Sequence, residues 1–184
     1  EVSWDLHDVH AEWIVGDGGI LRITDSGVVA MPTLHSKGLR AVHSANGWAV
    51  AAGTTGKILL WDGSQWNAHL LELDDGLTKP TLHAAWQSDD GWALVAGEDG
   101  LIARITQEGV VTVEPTPALV RDLPVLGTRG DGTYYAAGLA GHVLQRSETG
   151  SGWLDVSSDA SDGFDARAMW ADGEQVMMVG DHSV

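Results

Sequence analysis

Five segments of this 184-residue chain carry a basic or potentially basic residue at one shared place. They are Leu6-His7-Asp8-Val9-His10, Leu39-Arg40-Ala41-Val42-His43, Leu82-His83-Ala84-Ala85-Trp86, Val120-Arg121-Asp122-Leu123-Pro124 and Ala166-Arg167-Ala168-Met169-Trp170. Lysine and arginine total only 10 against 26 aspartates and glutamates, a net charge of −16, so composition alone does not supply one cation per copy. If the segments are equivalent innermost strands of a cyclic repeat, then His7, Arg40, His83, Arg121 and Arg167 line its central channel as a ring. A ring of that kind binds an anionic group or an acidic partner surface through charge-assisted hydrogen bonds. The competing reading pairs each cation with a carboxylate of the neighbouring repeat, the usual state of an interior arginine.

Other residue types that could do chemistry lack the spacing for it. His7 and His10 are three apart in an alternating segment, on opposite faces of a strand, and the chain has no His-x-His or His-Glu-x-x-His, so no metal site is expected. Asp159-Ala160-Ser161-Asp162-Gly163-Phe164-Asp165 misses the alternating acidic pattern of a calcium loop and reads as solvated surface. No Gly-x-Ser-x-Gly string or other catalytic signature is present, and no catalytic residue or cofactor is assigned. Gly53-Thr54-Thr55-Gly56-Lys57 lacks the glycine spacing and the Ser or Thr after lysine that a phosphate loop needs. Of nine tryptophans, Trp48 and Trp92 share one repeat column, which Trp13 joins if the first copy lacks two residues, and Trp66 and Trp153 share another. Packing between repeats explains such columns; Trp61, Trp66 and Trp153 would instead stack on a glycan if they stood at the surface.

The elements that must position these residues are set by a recurring glycine string. It appears as Val15-Gly16-Asp17-Gly18-Gly19, Ala52-Gly53-Thr54-Thr55-Gly56, Ala96-Gly97-Glu98-Asp99-Gly100 and Ala137-Gly138-Leu139-Ala140-Gly141, with a fifth at Val179-Gly180-Asp181-His182-Ser183. A recurrence of about 40 residues is the period of four-stranded units stacked in a ring or solenoid. Each copy offers an opening alternating segment, an apolar run into the glycines, a third run after them, and a fourth beyond a polar turn. Glycine at positive φ suits the tight turn between the second and third runs. Near-continuous apolar runs such as Trp92-Ala93-Leu94-Val95-Ala96 suit strands buried on both faces.

Residues 39–66, and above all Gly47-Trp48-Ala49-Val50-Ala51-Ala52-Gly53 followed by Asp62-Gly63-Ser64-Gln65-Trp66, resemble bacterial propeller repeats of the YVTN and BNR-like kind. They are also similar to the photosystem II assembly-factor type of propeller. The resemblance implies an all-β fold, a β-propeller of four-stranded antiparallel blades. It also implies an exported setting, periplasmic or extracellular. The expectation is about four and a half blades, with repeats near 6–38, 39–81, 82–119, 120–165 and 166–184, in one incomplete propeller domain expected to belong to a larger ring. Glu1-Val2-Ser3-Trp4 could donate one strand to a ring-closing blade.

Acidity of this size argues against sequence-independent nucleic-acid binding and against docking on anionic lipid. No run approaches the 18 to 20 or so apolar residues that span a bilayer, and with no cysteine the segment makes no disulfide or thiolate site. The expected function is a non-catalytic protein-interaction scaffold or accessory subunit of a larger exported or membrane-associated assembly, with other protein subunits as partners. A carbohydrate-binding propeller with a glycan partner is the alternative, and a propeller glycoside hydrolase the second.

Overall fold

A computed structural model describes residues 5–33, 36–73, 76, 78–118, 120–150, 152–159 and 161–182. Eighteen strands run in order: β1 (Leu6–His10), β2 (Trp13–Gly16), β3 (Gly19–Thr24), β4 (Gly27–Met31), β5 (Leu39–Ala45), β6 (Trp48–Gly53), β7 (Lys57–Trp61), β8 (Trp66–Leu70), β9 (Leu82–Gln87), β10 (Trp92–Gly97), β11 (Ile102–Thr106), β12 (Val111–Glu114), β13 (Val125–Thr128), β14 (Thr133–Ala137), β15 (Val143–Ser147), β16 (Leu154–Asp155), β17 (Phe164–Ala171) and β18 (Val176–His182). They form four sheets of four strands in sequence order, β1 to β4, β5 to β8, β9 to β12 and β13 to β16, and a fifth sheet of β17 and β18. The expected four strands per repeat are present. Glu1 to Trp4, Asp74, Asp75, Ala160 and Ser183 lie outside the described residues.

The chain divides into two compact units, residues 1–95 with 105–111, and residues 96–104 with 112–184. In the first, one core cluster joins Trp13, Val15 and Ile20 of the first sheet to Leu39, Val42, Ala49, Ala51, Leu59 and Trp61 of the second. Every residue of β6 is buried, the outcome its unbroken small and apolar sequence requires of a strand covered on both faces. The second unit has a smaller cluster, Val125, Ala137 and Ala166, with Phe164, Met169 and Met178 packed against it.

A β-bulge recurs near the start of the opening strand. Leu6 faces Gly16 and Asp8 faces Val15, leaving His7 as the extra residue; Arg40 is the extra residue between Leu39 and Ala41, and Arg167 between Ala166 and Ala168. A bulge re-aims its side chain and increases local twist. The bulge also accounts for the glycine opposite. A Cβ added to Gly16, Gly53, Gly138 or Gly180 would overlap the carbonyl oxygen of Asp5, Gly38, Asp122 or Asp165, at or just before the start of each opening strand. The first glycine does not carry the positive φ of the turn: Gly97 and Gly138 have φ of −171° and −140°. Positive φ falls at the last two places of the string, Thr55 and Gly56, Asp99 and Gly100, Ala140 and Gly141.

The same strings tie successive sheets together through the main chain. The Gly38 amide donates to the Asp17 carbonyl, Gly56 to Pro80, Leu123 to Gly97 and Ala166 to Gly138. Two carboxylates add to this, Asp122 accepting from the Asp99 amide at 3.0 Å and Asp165 from the Ala140 amide at 2.8 Å. Gly53→Ala forces two main-chain segments apart and should cost about 3 kcal/mol of unfolding free energy. Gly47→Ala, with φ +82° and open space around the new methyl, should cost only about 1 kcal/mol. Urea midpoints of the two variants check this, and equal losses would show that the close approach at Gly53 relaxes freely.

Candidate functional site

The bulges set the basic column, and their register changes its membership. Val125 pairs with Ala137 immediately before Gly138, as Asp8 pairs with Val15 before Gly16 and Ala41 with Ala52 before Gly53. Pro124 therefore occupies the place held by His7, Arg40 and Arg167, and the fourth opening strand is Val125–Thr128. Assigning Arg121 to this column is corrected: Arg121 is exposed, three residues upstream, beside a cavity of about 440 Å³ that it lines with Asp99, Val120, Asp122 and Leu139. Val120-Arg121 and Asp122-Leu123-Pro124 resemble an opening strand in composition, and the missing bulge residue hid the three-residue shift. His83 follows the buried Leu82 as Arg40 follows Leu39, and is itself half-buried.

Carboxylates meet the cations. In the first unit His7 Nε2 lies 3.1 Å and Arg40 3.5 Å from Asp17 Oδ1, and the Arg40 guanidinium also contacts the His7 ring. Asp17 stands in the hairpin between β2 and β3, so Arg40 pairs with the preceding sheet. In the second unit Arg167 Nε donates to Asp181 at 3.0 Å, within its own two-stranded sheet. These groups are partly exposed, so the pairs contribute about 0 to 1 kcal/mol each and leave donors and acceptors facing solvent.

Further along the opening strands, side chains bond to the backbone of a neighbouring opening strand. The Val42 amide donates to Asp8 Oδ2 at 2.8 Å and the Ser44 amide to His10 Nδ1 at 3.1 Å; Gln87 Nε2 donates to the Ala45 carbonyl at 2.6 Å. His10 stacks on His43 with centroids 3.9 Å apart, and Trp86 sits 6.1 Å from His43. His7 and His10 thus serve different partners, and among the described residues no three His, Asp or Glu side chains gather to hold a metal ion. Burial, and next the neighbouring His10, depress the His43 pKa from 6.5 to about 4.

Of the three tryptophans considered for glycan stacking, Trp61 and Trp153 are buried and Trp66 is partly buried, which corrects that reading of Trp61, Trp66 and Trp153. Trp61 is 7% and Trp153 4% exposed, and Trp66 packs against the first core cluster. Trp61 and Trp66 face each other across β7 and β8 and close on Trp13, with the Arg22 guanidinium 5.1 Å above the Trp13 ring. Trp13 stays outside the Trp48 and Trp92 column, because Val50 occupies its place before the glycine string of the second repeat. In the second unit the corresponding joint is polar: Glu114, at the end of β12, accepts from Arg146 at 2.6 and 2.8 Å and from Trp153 Nε1 at 2.8 Å. Sequence reasoning missed Asp8, Gln87, Glu114 and Arg146; the available signal was a charge or amide inside strand patterns otherwise apolar.

No family model matches the sequence, and no curated protein matches it. Solved structures do match in fold. Virginiamycin B lyase from Staphylococcus aureus is similar with a TM-score of 0.75 and 14% identity, over 91% of this chain and 59% of the lyase. YCF48, solved with a D1 peptide bound, is similar with a TM-score of 0.67 and 16% identity, over 96% of this chain and 60% of that one. The extracellular domain of BT4673 from B. thetaiotaomicron has a TM-score of 0.70 and 12% identity, over 90% of this chain and 23% of that one. The fold is all-β and that of a β-propeller, built from four-stranded antiparallel blades. The chain spans less than two thirds of the length of each of these neighbours.

Protonation of His43 links stability to pH. The unfolded chain takes up a proton as pH falls through 6.5, whereas folded His43 resists until about 4. Its contribution is present above pH 6.5 and is lost between 6.5 and about 4. Urea midpoints measured across this window should fall in the wild type and fall less in His43→Phe; parallel curves would show that His43 titrates normally in the fold.

Proposed function

We propose that this chain is a non-catalytic protein-interaction scaffold, an accessory part of a larger exported or membrane-associated assembly. The observation that carries the reading is the bulge end of the blades, where His7, Arg40 and Asp17 present both donors and acceptors on a frame fixed by main-chain bonds. Loops held by a rigid scaffold are where binding residues concentrate. Support also comes from YCF48, a propeller of similar fold solved with a bound peptide. Likeness to a lyase at 14% identity supplies a fold and no chemistry. The sequence resemblance to YVTN and BNR-like repeats, and to the photosystem II assembly-factor type, supports the same reading, and a periplasmic or extracellular location is proposed with it.

The binding surface is the bulge end, with His7 and Arg40 at its centre in the first unit. Chain immobilised on a support should capture a defined protein from extract of its source, and the double variant His7→Gln, Arg40→Gln should capture less than about a tenth as much. The variant should melt within a few degrees of wild type, because exposed pairs contribute little to stability. Undiminished capture, or a large fall in Tm, would remove these residues from the proposed surface.

A further inference from the structure

The chain contains only three lysines, Lys37, Lys57 and Lys79, and all three belong to one region of the first unit. Lys57 and Lys79 line a cavity of about 530 Å³ together with Thr55, Ala68, His69 and Leu70. The Lys57 ammonium donates to the main-chain carbonyl of Lys37, a neutral acceptor, and among the described residues no carboxylate pairs with it. Lys79 lies 3.2 Å from Glu72, but both side chains are largely exposed, so that pair exchanges readily for a stronger one. Ala68, His69 and Leu70 come from β8, the outermost strand of its sheet, and Leu70 is 54% exposed.

The cavity therefore combines two ammonium groups with an aliphatic wall in a protein whose net charge is −16. Its volume lies in the ordinary range for a binding site. An anionic occupant meets the net long-range repulsion of this acidic chain and local attraction at the two lysines, which favours docking here. We infer that this cavity docks an acidic peptide segment of a partner protein, with carboxylates on Lys57 and Lys79 and an aliphatic side chain against Ala68 and Leu70. Partial burial lowers the Lys57 pKa, a desolvation cost that an incoming carboxylate offsets. Neither His7 nor Arg40 is among these cavity residues, and the inference goes beyond the scaffold reading.

A fluorescein-labelled peptide of alternating glutamate and leucine provides the test, with its glutamine-for-glutamate counterpart and free glutarate as controls. Anisotropy at low salt should show saturable binding of the acidic peptide, weakened by added salt. Lys57→Gln with Lys79→Gln should weaken it about tenfold, and Lys79→Gln alone, at an exposed position, should weaken it measurably with unchanged Tm. His7→Gln with Arg40→Gln should leave peptide binding as it was, so this site and the bulge-end surface succeed or fail separately. The inference is overturned by the absence of saturable binding, by equal binding of the glutamine peptide, by indifference to both lysine changes, or by glutarate competing as well as the peptide. The last result would assign the cavity to small carboxylates.

Discussion

Where the opening segment of each blade passes its glycine hairpin, main chain meets main chain with no room for a side chain. The carbonyls of Asp5, Gly38, Asp122 and Asp165 occupy the space that a Cβ on Gly16, Gly53, Gly138 or Gly180 would fill. That approach goes with the bulge at His7, Arg40 and Arg167, and the bulge turns those side chains out of the strand alternation. It also presents the hairpin to the next blade, whose main chain completes the joint. Glycine, bulge and basic residue are thus parts of one arrangement.

With the main chain fixing the joint at one end, side chains elsewhere between blades are free to differ in chemistry. In the first unit Met31, Trp61 and Trp66 close the outer joint by apolar contact. In the second, Glu114, Arg146 and Trp153 close it with a nearly buried ion pair and an indole hydrogen bond. A buried pair of that kind adds little net stability over an apolar replacement, but removal of one partner is costly because the other is left uncompensated. The acidic residue is therefore committed to its partner and is not available for chemistry.

The fold was legible because glycine strings at a fixed period, apolar runs of strand length and polar turns all indicated four-stranded repeats. The basic column was legible in part. His7, Arg40 and Arg167 share a bulge, but Arg121 entered the column because its flanking residues resemble an opening strand, whereas register places Pro124 there. Register is a property of pairing, and no local pattern fixed it across the unequal connections between repeats. The tryptophans posed the opposite difficulty: a column of rings states that a position is large and aromatic, and only packing states that Trp61 and Trp153 are buried. The lysine cavity was illegible, since Lys57 opens β7 whereas Lys79 lies in the connection between β8 and β9, and the two line one cavity only after β7 and β8 are paired.

A rigid frame that leaves its hairpins and bulge residues exposed suits recognition of another protein. That suitability depends on the glycine joints holding the blades in place. Hydrogen exchange tests them most directly, by following the amides of Leu123 and Ala166, which bond to the preceding hairpins, and of Asp99 and Ala140, which bond to Asp122 and Asp165. If the joints hold the fold, these amides exchange only on global unfolding, as slowly as those of the buried strands. Exchange as fast as at the exposed Asp62 to Gln65 turn would contradict the account and show that the blades separate at their hairpins without unfolding.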